Sequence, residues 1–209
     1  AALGTTIAQA ISVVVSMVVI LKRKSGIRLE KSDFRPKRMT MKNILKVGVP
    51  VCLQDGFIQV SFVVITIFAN QRGLTDAAAV GIVEKIISIL FLVPSSMMST
   101  ISALVAQNIG AGKHDRAKLT LKYVLMITVT YGLIMTIIVQ FVSVPLVGLF
   151  TNDGAVAVSG AGYLRSYASD CIFAGIHFCL SGYFYAYGLS VISFIHNSIS
   201  IVCARIPLS

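Results

Sequence analysis

The sequence predicts an all-α polytopic membrane helix bundle, and three observations carry that prediction. Of 209 residues, 56% are apolar and only 12% are charged, a balance that cannot cover a water-facing globule. The apolar residues gather into runs long enough to cross a hydrocarbon layer of roughly 30 Å. The connections between those runs alternate between strongly basic and nearly uncharged, which is the charge signature of a chain threading a membrane several times. Only helices and closed barrels satisfy every backbone polar group in lipid, and these runs are too long and too continuously apolar for barrel strands.

Six spans follow from the pattern: 1–21, 47–70, 77–107, 119–149, 163–188 and 191–209. The first lacks both a preceding basic region and a small-residue cleavage site, so it reads as a membrane span and not as a secretory signal. The chain opens inside this apolar run and stops at Ser209 inside another, so a fragment of a longer protein is expected. Segment 22–46 divides the first span from the rest and contains ten of the 18 Lys and Arg residues, from Lys22 to Lys46. The positive-inside rule puts it in the cytoplasm; the net charge of +10 therefore speaks of topology and of anionic lipid headgroups, not of nucleic acid. Segment 39–46 is expected to form a short interfacial helix. Loop 108–118, with Lys113, Arg116 and Lys118, returns to the inner side, and loop 150–162, without a basic residue, lies outside.

Charged residues inside a span cost several kcal/mol each and mark functional candidates. Stepping by 100° per residue puts Asp55, Gln59, Phe62, Thr66 and Asn70 on one face of the second span. Glu84, Ser88, Ser95, Ser99 and Ser102 share a face of the third, with Pro94 placed to bend it or to free a carbonyl. Tyr163, Ser166, Asp170, His177, Ser181 and Tyr185 share a face of the fifth. Three polar stripes suggest a water-filled cavity, although rows of Ser, Thr and Gly also make ordinary helix interfaces in membranes. By depth, Glu84, Lys85, Asp170 and Arg205 fall in the outer half, where the acids and the two structural partners Lys85 and Arg205 are expected to include at least one acid–base contact. Asp55 falls in the inner half with no basic residue at its level, and is the best lone titratable group.

Other signals are weaker. His114 reads as a loop residue, and His177 and His196 as interior groups, with His177 on the face of Asp170. The four cysteines, Cys52, Cys171, Cys179 and Cys203, have no C-x-x-C spacing, and no metal site is expected. Gly110-Ala111-Gly112-Lys113 fails the phosphate-loop spacing and reads as a helix-ending turn. No nucleophile has an attendant base, so no enzyme activity is expected.

Segment 103–118, Ala-Leu-Val-Ala-Gln-Asn-Ile-Gly-Ala-Gly-Lys-His-Asp-Arg-Ala-Lys, resembles the Gln-Asn-x-Gly-Ala-Gly…Arg-Ala turn of the multidrug and toxic compound extrusion (MATE) family. Val47-Gly48-Val49-Pro50 with Leu53-Gln54 resembles the entry of that family's seventh helix, Gly162-Tyr163-Leu164-Arg165 the start of the tenth, and Arg205-Ile206-Pro207-Leu208 the eleventh. The resemblance implies the last helix of a first lobe (1–21), a basic cytoplasmic interlobe loop (22–46) and five helices of a second lobe (47–209) of a twelve-helix transporter. It further implies a multi-pass plasma-membrane exporter of organic, often cationic, compounds, a monomer when full length, needing no cofactor beyond a coupling proton or sodium ion. The sequence departs from the branch with an acidic second-lobe cation site. Ile58 and Gln59 stand where a Glu is usual, and Ser181 where an Asp is. Asp55, Gln59, Glu84, Asp170, His177 and Ser181 are the cavity or ion-coupling candidates. Two other functions compete: a lipid-linked oligosaccharide flippase of the same superfamily, which would want a strongly cationic cavity, and a membrane-embedded isoprenoid-phosphate transferase, which would require Asp-rich metal motifs that the sequence lacks.

Overall fold

The computed structural model describes residues 2–22 and 37–200, and the chain divides into two compact units, Ala1–Met41 and Lys42–Ser209. The described residues form an all-helical membrane bundle. In order the helices are α1 (Ala2–Lys22), α2 (Arg38–Arg72), α3 (Leu74–Leu90), α4 (Leu92–Gly110), α5 (His114–Gly148), α6 (Gly154–Ala168), α7 (Asp170–Ala186) and α8 (Ser190–Ser200). Arg38–Arg72, Leu74–Gly110 and His114–Gly148 are each long and apolar enough to cross a membrane. In the first unit, α1 leaves Ile7, Ile11, Val14 and Met17 exposed, as a lipid-facing helix does.

Several boundaries differ from those the apolar runs suggest. The expected interfacial helix at 39–46 is not separate, because the backbone runs on without a break into α2. Pro50 does not interrupt it. The connection between α2 and α3 shrinks to Gly73, whose φ of 121° suits a residue without Cβ. Most of the expected outer loop 150–162 is helical, because Asp153 caps α6 by accepting from the Ala155 N–H at 2.8 Å. The turn at Ala111-Gly112-Lys113 is as expected, with Gly112 at φ 70°.

Helix α5 is the spine of the second unit. Its 35 residues run about 52 Å at 1.5 Å each, and two broken spans lie along it. At one end Val83, Ile86 and Ile87 of α3 and Leu164 and Ala168 of α6 close around Val139 and Val147 of α5. At the other, Ile101 and Val105 of α4 and Cys179 of α7 close around Ala117 and Val124. Glycines set the spacing: a Cβ on Gly175 would stand 2.6 Å from Thr128 Cγ2, and one on Gly182 2.5 Å from the Met98 carbonyl oxygen. Close approach through small residues replaces the hydrophobic drive that lipid does not supply.

Both breaks free a backbone carbonyl, and α5 makes each good. Pro94 has no N–H to give the Leu90 carbonyl, so the span turns at Phe91, and the Tyr131 hydroxyl donates to that carbonyl at 3.1 Å. At Ser169 the Ile172 N–H bonds the Ser169 carbonyl at 3.3 Å, and Thr136 Oγ1 donates to the Ala168 carbonyl at 3.0 Å. Ile127, Ile134, Ile137 and Phe141 face outward from α5, as lipid requires.

Candidate functional site

A cleft of about 1190 Å³ opens in the second unit between α2, α3, α6, α7 and α8. It exceeds the roughly 300–1,000 Å³ typical of small-molecule pockets. No α5 residue lines it. The α2 wall is mostly apolar, with Ile58, Phe62, Ile65 and Ala69, and the α6–α7 wall is polar and aromatic, with Tyr163, Ser166, Tyr167, Asp170 and His177.

Six rings form a continuous ladder along that wall. Tyr163 and Tyr167 have centroids 5.9 Å apart, Tyr167 and Phe91 6.1 Å, Phe91 and Phe178 6.2 Å, Phe178 and His177 5.8 Å, and His177 and His196 4.4 Å. All six line the cleft, and the spacings are those of favourable edge and offset ring contacts. Phe91 reaches the ladder because it occupies the break between α3 and α4. Among charged side chains, Arg72, Asp76 and Asp170 line the cleft, two acids against one base. Asp76 accepts from Ser159 at 2.8 Å, tying the start of α3 to α6.

Asp170 and His177 thus reach the cleft, while Asp55 and Gln59 do not line it. Both are exposed; on the helical wheel Asp55 lies close to Phe62, two turns on, at the margin of the α2 face that borders the cleft. The residue before Asp55 is the buried one. Gln54 Oε1 accepts from the Tyr185 hydroxyl and from Ser193, each at 3.2 Å, and Ser193 Oγ lies 2.7 Å from Ser181 Oγ. Ser181 is fully buried in this network, which with the Phe57–Phe194 ring stack at 5.9 Å joins α2 to α7 and α8.

The expected layer of embedded charges is only partly visible, since Arg205 lies outside the described residues. Glu84 and Lys85 make no ion pair among the described residues. Neighbours on a helix point about 100° apart: Lys85 is exposed, while Glu84 is half-buried with Oε1 enclosed and without a hydrogen-bond partner. Two of the serines on the expected face of the third span bond its own backbone, Ser88 to the Glu84 carbonyl and Ser95 to that of Leu92; Ser88 also borders the cleft.

The ladder and the histidine pair escaped the sequence reading. The i, i+4 pair Tyr163 and Tyr167 was the legible part of it. Phe91 needed the Pro94 break to be placed, and the partnership of His196 with His177 needed the α7–α8 turn, where Gly188 takes φ 71°.

Comparison with known proteins gives a coherent result. The MatE family model matches residues 50–209. The chain is 27% identical over 188 residues to a multidrug export protein, MepA, of Staphylococcus saprophyticus, covering 90% of this chain and 42% of that protein. It is 26% identical over 155 residues to a probable multidrug resistance protein, YoeA, of Bacillus subtilis, covering 73% of this chain and 34% of that one. The MepA of Staphylococcus haemolyticus is 25% identical over 189 residues, 90% of this chain and 41% of that protein. The chain therefore spans about two fifths of the length of the curated relatives it matches. No solved structure matches it significantly.

Proposed function

We propose that this chain, which belongs to the multidrug and toxic compound extrusion family, is part of a secondary antiporter that exports organic cations across the plasma membrane. The single observation that carries the reading is the aromatic ladder along the cleft. Ring faces attract cations without demanding a particular shape, by about 0.5–2 kcal/mol per contact. Such a wall suits many cargoes, as the multidrug names of the relatives suggest for those proteins. Two acids against one base give the cleft a negative balance, and Asp170 beside the ladder is the acid placed to meet a cation. An oligosaccharide-diphosphate flippase would want the opposite sign.

Asp55 is a further acid in this reading. It is exposed at the margin of the α2 face that borders the cleft, and would act on cargo from there. Segment 22–46 is cytoplasmic, and protons or sodium ions flowing inward drive the export.

The test uses the full-length protein in cells lacking their own exporters, with ethidium efflux as the readout. Wild type should export the dye, and Tyr167→Ala should weaken export by about 2- to 30-fold, the loss of one cation–π contact. Asp55→Asn, run alongside at matched expression, assigns Asp55 to transport if efflux falls and removes it if efflux holds. A wild-type protein that exports no cationic dye refutes the reading.

A further inference from the structure

Cargo binding by the ladder leaves one feature of the cleft unexplained. His177 comes from α7 and His196 from α8, and their Nδ1 and Nε2 atoms stand 3.1 Å apart. At that separation one proton lies between the rings, one nitrogen donating and the other accepting; two bare lone pairs or two facing N–H groups would repel. The pair has two further nitrogens. His177 Nε2 is enclosed without a hydrogen-bond partner, whereas the His196 ring is exposed, so its outer nitrogen carries an added proton at the lower cost of desolvation. A singly charged pair therefore keeps its hydrogen bond, as His196 imidazolium donating to His177.

We propose that His177 and His196 form the proton-binding site of the cleft, where proton uptake expels a bound organic cation. The inference rests on the cation-export reading above and gives it a coupling site. His177 and His196 are the last rungs of the ladder, with His177 5.8 Å from Phe178 and 4.4 Å from His196. A neutral imidazole extends the ring surface offered to a cation, and an imidazolium withdraws it and repels. At an effective dielectric of about 20, a unit charge about 6 Å from the bound cation weakens its binding by roughly a hundredfold. The step is a simple exchange: a proton from water enters the pair, the cation leaves, and the charge of the occupied cleft is unchanged. The other titratable or charged groups of the cleft are Arg72 of α2, Asp76 of α3, Tyr163 and Tyr167 of α6, and Asp170 of α7. Asp170, two helical turns before His177 on the same helix and about 10 Å along it, is the acid whose field favours the charged pair.

Histidine is the side chain whose unperturbed charge changes between about pH 5 and pH 8, so the test spans that range. Tetraphenylphosphonium binding to the purified full-length protein should weaken by up to about a hundredfold from the alkaline to the acid end. Added at mid-range in weak buffer, the cation should release protons, read with a pH dye. In His177→Gln with His196→Gln the pH dependence should flatten and the proton release disappear, while binding at the alkaline end falls with the loss of two rungs of the ladder. His196→Gln alone, an exposed substitution, serves if the double variant elutes as aggregate. Infrared difference spectra on a pH step, taken without cargo, should show an imidazole band that either single substitution abolishes. An unchanged pH slope and undiminished proton release in the variants overturn the proposal while leaving cation export standing. An imidazole band untouched by either substitution overturns it even if no cation binds. Failure of the wild type to bind tetraphenylphosphonium at any pH strikes instead at the cation-export reading.

Discussion

Replacing Gly182 with Ala tests whether the α4–α7 crossing is as close as the structure has it. A Cβ there would stand 2.5 Å from the Met98 carbonyl oxygen and 2.5 Å from Ile101 Cγ2, with the Met98 carbonyl carbon at 3.3 Å. Ordinary contact begins at 3.4 Å, so α4 and α7 must separate locally by about 0.9 Å, the difference from 2.5 Å. Neither can yield alone. Ile101 is fully buried, and α7 is held against α5 at Gly175, where the Thr128 methyl leaves no room either. Overpacking costs about 1–3 kcal/mol. The upper end applies here because one of the clashing atoms is backbone. Alanine returns up to about 1 kcal/mol of helix propensity, so the net loss should be about 2 kcal/mol, a roughly thirtyfold fall in the ratio of folded to unfolded protein. Gly81→Ala is the matched comparison, since nothing lies within 4 Å of a Cβ at that position, and it should stabilise by about 0.5–1 kcal/mol. Reversible unfolding of the full-length protein in mixed micelles measures both. Equal stability of Gly182→Ala and wild type, or shifts of the same sign in the two variants, would refute the packing argument.

Tyr131→Phe strips the Leu90 carbonyl of the donor that replaces the missing Pro94 N–H, and the unfolding assay should register a loss of about 1–3 kcal/mol, whereas Tyr123→Phe, at an exposed position on the same helix, should cost nothing measurable. Cysteine labelling of intact cells should modify Asn152→Cys from outside and spare Lys113→Cys until the membrane is opened; the reverse pattern would invert the topology.

The membrane class and the order of the spans were legible because they depend on long runs of one property. A stretch such as 123–149 stays apolar whatever it touches, and the basic residues from Lys22 to Lys46 form a block that local structure cannot hide. Pro94 was legible as a break for a local reason, since a missing N–H frees a carbonyl regardless of context. What the periodicity could not supply was direction. The stripe of Asp55, Gln59, Phe62, Thr66 and Asn70 is real as a face of α2, yet of its members only Phe62 borders the cleft, beside Ile58 and Ile65. A helical wheel gives the faces of one helix and does not say which of them meets a neighbour. The break at Ser169 carries no proline and no glycine, so nothing local announced it. The fifth stripe is divided further on, within α7: Tyr163, Ser166, Asp170 and His177 line the cleft, while Ser181 and Tyr185 enter the buried network with Gln54 and Ser193.

The two breaks explain why a cleft exists in this bundle at all. Three uninterrupted apolar helices at close spacing would fill the space between them with aliphatic side chains, as the two clusters along α5 do. Each break costs a backbone hydrogen bond in a medium that offers no water to replace it, and α5 restores both, through the Tyr131 and Thr136 hydroxyls. The spine can brace the bent spans because none of its residues lines the cleft. Phe91 sits in the first break, and Tyr167 and Asp170 lie on either side of the second, so the bends bring together ring and acid positions from different spans. On the opposite side, α2 and α8 meet α7 and each other through a few polar contacts and one ring stack, including the Lys46 carbonyl accepting from Ser190 at 3.3 Å. The ladder thus stands on the braced wall as far as His177; its last rung, His196, comes from α8, and the facing α2 buries only Gln54, Ser61 and Ala69.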